Sequence, residues 1–127
     1  MFKDTKAFSG FSTDDIDPTE RFYRETLGIE VVREPEPMAM LGLKLATGGE
    51  VLIYPKGEDH VPATFTVLNF VVDDIEATVD ALVERGVEFD RPDGFPLDER
   101  GIMREGGPYI AWFKDPGGNV LSVLQER

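Results

Sequence analysis

Hydrophobic and polar positions alternate along much of this 127-residue chain, which is the pattern of short, half-buried strands. Two stretches have helical spacing instead. The first carries Phe22, Tyr23 and Leu27 on one stripe and ends at Gly28, where a helix C-cap glycine is expected. The second covers residues 75–86. The pattern therefore predicts two helices among several strands.

The predicted strands fall into two similar sets. The Asp17-Pro18-Thr19-Glu20 segment predicts the start of the first helix, with Asp17 as the N-cap. The pairs at 14–15 and 73–74 are interpreted as caps where a strand turns into a helix. Strands are predicted at about 7–13, 29–33, 38–45 and 50–55, and then at about 65–72, 87–91, 109–114 and 119–125.

Three short matches in the same order indicate that the chain contains two copies of one unit. Residues 10–16 match residues 69–75, with Phe11 on Phe70. Two shorter matches follow, and the unit is strand-helix-strand-strand-strand. The predicted fold class is α+β: tandem βαβββ modules form a curved mixed sheet with a concave ligand trough and helices on the convex face. One domain spans 1–127, with module 1 at about 1–56, a linker at about 57–63 and module 2 at about 64–127.

The last two strands of each half are joined by a short turn, which predicts a hairpin. A four-residue turn at 115–118 places Ala111 opposite Ser122, on the side away from the helix. Trp112 then lies opposite Leu121, in the core beneath the helix. Concave, mostly apolar surfaces are where small molecules bind.

The same arithmetic in the first half places Gly42 opposite Ile53, with Met40 on their face. Asn69 and Ser122 are polar, and they are expected to orient a ligand by hydrogen bonds. The residues predicted to bind a ligand are Phe8, Met40, Ile53, Val67, Asn69, Tyr109, Phe113 and Ser122.

Composition excludes several classes of partner. A formal charge of −12 makes contact with a phosphate backbone unfavourable, so neither nucleic acid nor an anionic membrane is an expected partner. The chain has no cysteine, which removes thiol nucleophiles and disulfides. It has no apolar run of the roughly 20 residues that a membrane span needs. We expect a cytoplasmic protein.

Three segments together resemble the vicinal oxygen chelate superfamily, which includes glyoxalase I, extradiol dioxygenases and bleomycin-resistance proteins. They are residues 11–28, with Asp-Asp-Ile followed by Phe-Tyr and Leu-Gly, residues 69–75, and the Trp-Phe-Lys-Asp-Pro-Gly-Gly-Asn-Val-Leu segment at 112–121. The resemblance covers essentially the whole chain. It implies the tandem βαβββ fold, and because many short members dimerise, it also implies a homodimer.

Metal-dependent members of that superfamily hold a divalent ion on the first and last strands of each half. Those positions fall here on Phe8, Val67, Ile53 and Ser122. Three of these side chains have no donor atom, and a neutral hydroxyl alone is too weak. The sequence therefore resembles a member that lacks the usual metal ligands, with no metal and no other cofactor expected, and glyoxalase or dioxygenase chemistry is not expected.

A polar loop at 97–105 supplies the catalytic candidates. Asp98 and Glu99 are candidates for an acid or base, Arg104 for binding an anion, and Tyr109 for proton transfer. Surface loops carry such charges without any catalytic role, and that reading is the favoured one.

The resulting hypothesis is a metal-independent binding protein of the glyoxalase and bleomycin-resistance type that sequesters a drug or metabolite, with a cationic or aromatic ligand expected. The alternative is a metal-free isomerase, epimerase or lyase that uses the loop carboxylates. A third reading is a regulatory domain whose trough is closed by packing among Phe8, Ile53 and Val67.

Overall fold

The computed structural model describes all 127 residues and divides them into two compact units, Met1–Val61 and Pro62–Arg127. Each unit contains helix and mixed sheet, which confirms the predicted α+β class. The boundary lies inside the segment predicted as a linker, and the assignment of both units to one domain stays a prediction. No helix is long and apolar enough to cross a membrane.

The first unit is a four-stranded sheet with one helical segment. Its strands lie in the order β1-β4-β3-β2, with β1 parallel to β4 and the other neighbours antiparallel. A π-helical turn at Phe22–Thr26 extends α1, and Gly57–Asp59 forms a 3-10 turn after the last strand. The elements are β1 Ser9–Thr13, α1 Ile16–Arg21, β2 Glu30–Arg33, β3 Leu41–Lys44 and β4 Glu50–Pro55.

The second unit has a three-stranded sheet in the order β5-β7-β6, with β5 parallel to β7 and β6 antiparallel to it. The strand predicted at 87–91 is absent. This segment meets β6 at one bridge, Phe89 to Phe113, and its Asp90 N–H donates to the Trp112 carbonyl at 2.8 Å. The elements are β5 Thr66–Val71, α2 Ile75–Glu84, β6 Tyr109–Lys114 and β7 Val120–Gln125.

Each sheet buries one apolar face, because alternate residues of a strand point to opposite sides. In the first unit Tyr23 is fully buried, and its ring centroid lies 6.3 Å from that of Phe11. In the second unit α2 packs on β6 and β7. The side chains buried there are Ile75, Val79 and Leu82 from α2, Ala111 and Phe113 from β6, and Leu121 and Val123 from β7.

The helices begin at the aspartate pairs, as the sequence predicted. The Asp15 carboxylate accepts the Asp17 N–H at 3.4 Å, and the Asp74 carboxylate accepts the Ala77 N–H at 3.1 Å. The prediction of Asp17 as the first N-cap is wrong, because α1 begins at Ile16, whose side chain is buried.

Both hairpins differ from their predicted register by one residue. Lys114 pairs with Val120 rather than with Asn119, and Lys44 pairs with Glu50. In the second hairpin the Gly118 N–H donates to the Asp115 carbonyl at 2.9 Å, and Gly118 has a φ of 82°. A turn that ends in a left-handed glycine adds one residue to the connection, which explains the shift.

This shift exchanges the two faces of each hairpin. Trp112, and not Ala111, lies opposite Ser122, so the prediction that Trp112 packs beneath the helix is wrong. Leu41, and not Gly42, lies opposite Ile53. The predicted strand at 38–45 also shortens to Leu41–Lys44.

The caps provide a direct test of the helix assignment. Asp74→Ala is expected to lower the free energy of unfolding by about 1 kcal/mol, because it removes the acceptor of the Ala77 N–H. Asp73→Ala is the matched control, since Asp73 is the adjacent exposed aspartate and is not the N-cap; it is expected to cost less than about 0.5 kcal/mol. Urea denaturation followed by circular dichroism measures both, and equal losses would contradict the cap assignment.

Candidate ligand-binding site

The face of the second sheet that is directed away from α2 carries both polar and aromatic side chains. Asn69 on β5, Ser122 on β7 and Trp112 on β6 share this face through the register of the three strands. The Ser122 hydroxyl donates to the Asn69 amide oxygen at 2.6 Å. The Trp112 side chain lies on the same face. Ser122 is fully buried, and neither Asn69 nor Ser122 lines the cleft described below, so their role in orienting a ligand stays a prediction.

A cleft of about 710 Å³, here called the Trp112 cleft, opens at one end of this face. It lies wholly within Pro62–Arg127. Its walls come from the segment at 62–66 before and into β5, from residues 90–95, and from the paired strands β6 and β7. This volume falls in the range of clefts that hold drug-sized molecules.

Three aromatic rings line part of the cleft. The Trp112 and Phe95 ring centroids lie 5.3 Å apart with a 60° angle between the planes. Phe65 also lines the cleft and is 69% exposed. Exposed and half-exposed rings arranged around a concavity offer the apolar faces that planar ligands stack on.

Buried polar groups fix the segment that carries Phe65. The Asn119 side chain is nearly fully buried; its amide oxygen accepts the Ala63 N–H at 3.0 Å. The Asp115 carboxylate in turn accepts the Asn119 N–H at 2.9 Å. Gly118 lies so close to Pro62 that an added Cβ would be 3.2 Å from the proline ring. The hairpin turn therefore anchors one wall of the cleft.

Three charged side chains also line the cleft. The Lys114 ammonium lies 3.3 Å from the Asp90 carboxylate. The Arg91 guanidinium donates to the backbone carbonyl of Asp98 at 2.8 Å. The cleft thus carries two cations and one carboxylate beside its aromatic wall.

Two of the predicted ligand-binding residues lie in the cores of the units. Ile53 and Phe113 are fully buried beneath the helical segments. The connection in each hairpin is one residue longer than predicted, so these side chains lie on the opposite face from the one expected. Phe113 contacts Phe89 with ring centroids 5.4 Å apart. The prediction that these two side chains face a ligand is wrong.

The other predicted residues lie at separate places. Phe8 is 66% exposed and borders a second, smaller cleft within the first unit. Met40 precedes β3 and is half-buried, and Val67 lies at an irregularity in the pairing of β5 with β7. Tyr109 is contacted by two guanidinium groups, those of Arg104 at 5.0 Å and Arg127 at 5.1 Å.

The loop proposed for acid–base work is held by structural contacts. Asp98 accepts the N–H groups of Arg100 and Ile102, both at 2.9 Å, and the Arg104 guanidinium at 3.0 Å. Burial alone would raise the pKa of Asp98, but these hydrogen bonds outweigh it and lower that pKa below its ordinary value. Glu99 is exposed.

Arginines tie this loop to α2. Arg100 forms a bidentate pair with Asp80 at 3.0 and 3.2 Å, which lowers the pKa of Asp80. Arg104 donates to Glu76 at 2.6 Å as well as to Asp98. The arginines of the loop are therefore paired with carboxylates of α2, and Arg104 is paired with Asp98 as well.

Comparison with known proteins identifies the family. The sequence model of the Glyoxalase/Bleomycin resistance protein/Dioxygenase superfamily matches residues 8–123. The chain belongs to this superfamily. A relative from Vibrio parahaemolyticus named probable lactoylglutathione lyase is 28% identical over 123 residues, which covers 89% of this chain and 84% of that protein.

Solved structures have the same fold. A glyoxalase family protein from Enterococcus faecalis is 26% identical with a TM-score of 0.71, over 98% of this chain and 99% of that one. TnmS3, an antibiotic binding protein from Streptomyces sp. CB03234, is 24% identical with a TM-score of 0.69, over 98% of both chains. The resemblance inferred from the sequence is confirmed.

The residues present do not fit the divalent ion of metal-dependent superfamily members. Phe11 pairs with Ile53 and its repeat partner Phe70 pairs with Val123, so the position equivalent to Ser122 is Leu52 rather than Ile53. Leu52 has no donor atom either. No group of three or more His, Cys, Asp or Glu side chains in the chain is placed to hold a metal ion.

The sequence missed the aromatic and charged residues of the Trp112 cleft. Trp112 was assigned to the core by the register error, and the double glycine of its turn was the signal that could have corrected it. Phe65 stood at the start of the strand predicted at 65–72 but was given no role, and the observed β5 begins one residue later, at Thr66. Phe95 lies in a loop, where alternation gives no orientation. Arg91 lies in no motif, and Lys114 was assigned no role although it lies in the 112–121 segment.

Asp98 predicts a pH-dependent contribution to stability. Because the pKa of Asp98 is lower in the folded chain, its stabilising effect is present above the unfolded pKa of about 3.9 and is lost as the pH falls through the folded pKa. Asp98→Asn is expected to cost about 1–2 kcal/mol of unfolding free energy at pH 7 and progressively less below about pH 4.

Urea titrations at pH 7, 5, 4 and 3 measure this difference. Glu99→Gln is the matched control, since that neighbouring carboxylate is exposed, and it is expected to change stability little at any pH. A cost of Asp98→Asn that stays constant from pH 7 to pH 3 would contradict the assignment.

Proposed function

We propose that this protein is a metal-independent small-molecule binding protein of the glyoxalase and bleomycin-resistance type, which sequesters a drug or metabolite with an aromatic ring in the Trp112 cleft. The observation that carries the proposal is the cleft itself, which has a volume of about 710 Å³ and is lined by the rings of Trp112, Phe95 and Phe65. The missing donor atoms at the superfamily's metal positions support a function without an ion.

The anchored wall indicates that the binding site is formed before a ligand enters. The buried Asn119 and Asp115 side chains fix the backbone that carries Phe65, so little order has to be gained when a ligand enters. Antibiotic binding is a property of TnmS3, which has the same fold, and it supports the binding of a small molecule by this fold.

The proposal includes a homodimer in the cytoplasm, with no nucleic acid or membrane as partner. Several large apolar side chains are more than half exposed, and the proposed dimer contact would bury some of them. Outside the cleft, those on strands or adjoining loops are Phe8, Met38 and Val71. The chain's net charge of −12 would also attract a cationic ligand from solution, so cations belong in any screen.

A metal-free isomerase, epimerase or lyase is less well supported. Such an enzyme needs a general base whose pKa is tuned toward the working pH. The pKa of Asp98 is shifted the opposite way, and its oxygens already hold three N–H groups. The same contacts give Asp98 a structural role in the loop.

Binding can be followed through Trp112, because it is the only tryptophan of the chain. The neutral probe nitrobenzofurazan-ethanolamine absorbs where tryptophan emits, and its own emission rises in apolar surroundings. We expect it to quench Trp112 saturably. Phe65→Ala should weaken this binding about fivefold, the effect of losing roughly 1 kcal/mol of aromatic contact.

Phe2→Ala is the matched control, because Phe2 is a similarly exposed phenylalanine, 76% against 69%, and lies in the other unit. It should leave the affinity unchanged. Quenching that does not saturate, or an equal loss in both variants, would contradict binding in the Trp112 cleft.

A further inference from the structure

We propose that the Trp112 cleft selects aromatic molecules that carry an acidic group, a carboxylate or sulfonate, which binds to Arg91 and Lys114. This inference rests on the proposed function and adds the chemical class of the ligand. The chain's net charge of −12 favours a cationic ligand, but the cleft itself is lined by two cations and one carboxylate.

Arg91 has hydrogen-bonding capacity to spare. Its guanidinium has no carboxylate within 4.0 Å, and its bond at 2.8 Å goes to the neutral Asp98 carbonyl. By contrast, Arg100 and Arg104 each pair with two or more carboxylates. A guanidinium presents five N–H donors in a planar fork that fits a carboxylate or sulfonate. A ligand acid would supply the anionic partner that Arg91 lacks.

Lys114 provides the second cation. Its ammonium is about half exposed, and its ion-pair partner is Asp90 at 3.3 Å, the one carboxylate that lines the cleft. An ammonium has three donors, so it can bind a ligand anion while it keeps Asp90. One carboxylate for two cations leaves the cleft with an excess of one positive charge.

Comparison of the two repeat units shows that the second lacks the carboxylate that lies across the strands from the lysine in the first. Lys44 and Lys114 occupy the same place, the last paired residue before each hairpin turn. Lys44 faces Glu50 across the strands and bonds to it at 2.8 Å. Lys114 faces Val120, an apolar residue that lines the cleft. The second copy thus has an apolar contact where the first has a neutralising carboxylate.

Three probes of nearly equal size separate charge from aromatic contact: nitrobenzofurazan-glycine, an anion; nitrobenzofurazan-ethanolamine, neutral; and nitrobenzofurazan-ethylenediamine, a cation. Quenching of Trp112 measures each dissociation constant at low ionic strength. We expect the anion to bind about tenfold more tightly than the neutral probe, and the cation more weakly than both. The preference for the anion should shrink in 0.5 M salt.

Arg91→Gln and Lys114→Gln should each remove most of the preference for the anion while the neutral probe still binds. Arg91→Lys keeps the charge and should keep part of the preference, which separates charge from a local structural effect. Two controls lie outside the cleft. Arg127→Gln removes a guanidinium that also donates to a backbone carbonyl, at 2.7 Å, and Lys44→Gln removes the equivalent lysine of the first copy.

The outcomes distinguish this inference from the proposed function. Equal affinity for the three probes, with Phe65→Ala still weakening all of them, would overturn the selection of acids and leave the aromatic site standing. Tightest binding of the cation would overturn it as well. Absence of saturable quenching by any probe would overturn the proposed function itself. A preference for the anion that Arg127→Gln or Lys44→Gln reduces as much as Arg91→Gln does would refute the assignment to the cleft.

Discussion

The hairpin turn between β6 and β7 is the constraint on which the rest of the second unit depends. Gly118 adopts a left-handed conformation that closes the turn, and this sets the pairing of Lys114 with Val120. Because side chains alternate along a strand, that single register decides which of Trp112 and Phe113 lies beneath α2. The same turn holds the buried Asn119, whose amide oxygen fixes the segment entering β5.

A surface and a core follow from that register together. The residues directed toward α2 are apolar and buried, so hydrophobic burial stabilises that side of the sheet. The opposite side is left to mix aromatic, polar and cationic groups, as in Trp112, Ser122 and Lys114. The geometry of the cleft comes from backbone pairing and buried hydrogen bonds.

The sequence predicted the architecture better than the site, for physical reasons. The aspartate pairs and Gly28 act locally, through caps and backbone conformation, so the helix positions were readable. The face that a strand residue occupies depends on the length of the turn. An error of one residue in that length assigned Ile53 and Phe113 to the ligand-facing side, whereas both lie in the core. Phe95 lies in the long loop between α2 and β6, and the tertiary structure brings it to Trp112. No local sequence pattern predicts that contact.

The central claim is that aromatic binding at Trp112 requires no metal. The indole N–H resonance of Trp112 is unique in a chain with one tryptophan, so ¹⁵N-labelled protein can be titrated with nitrobenzofurazan-ethanolamine, first in EDTA and then in excess Ni²⁺. We expect this resonance to shift and to saturate with the same dissociation constant in both conditions. A shift that appears only after Ni²⁺ is added would contradict it and would return a metal ion to the site.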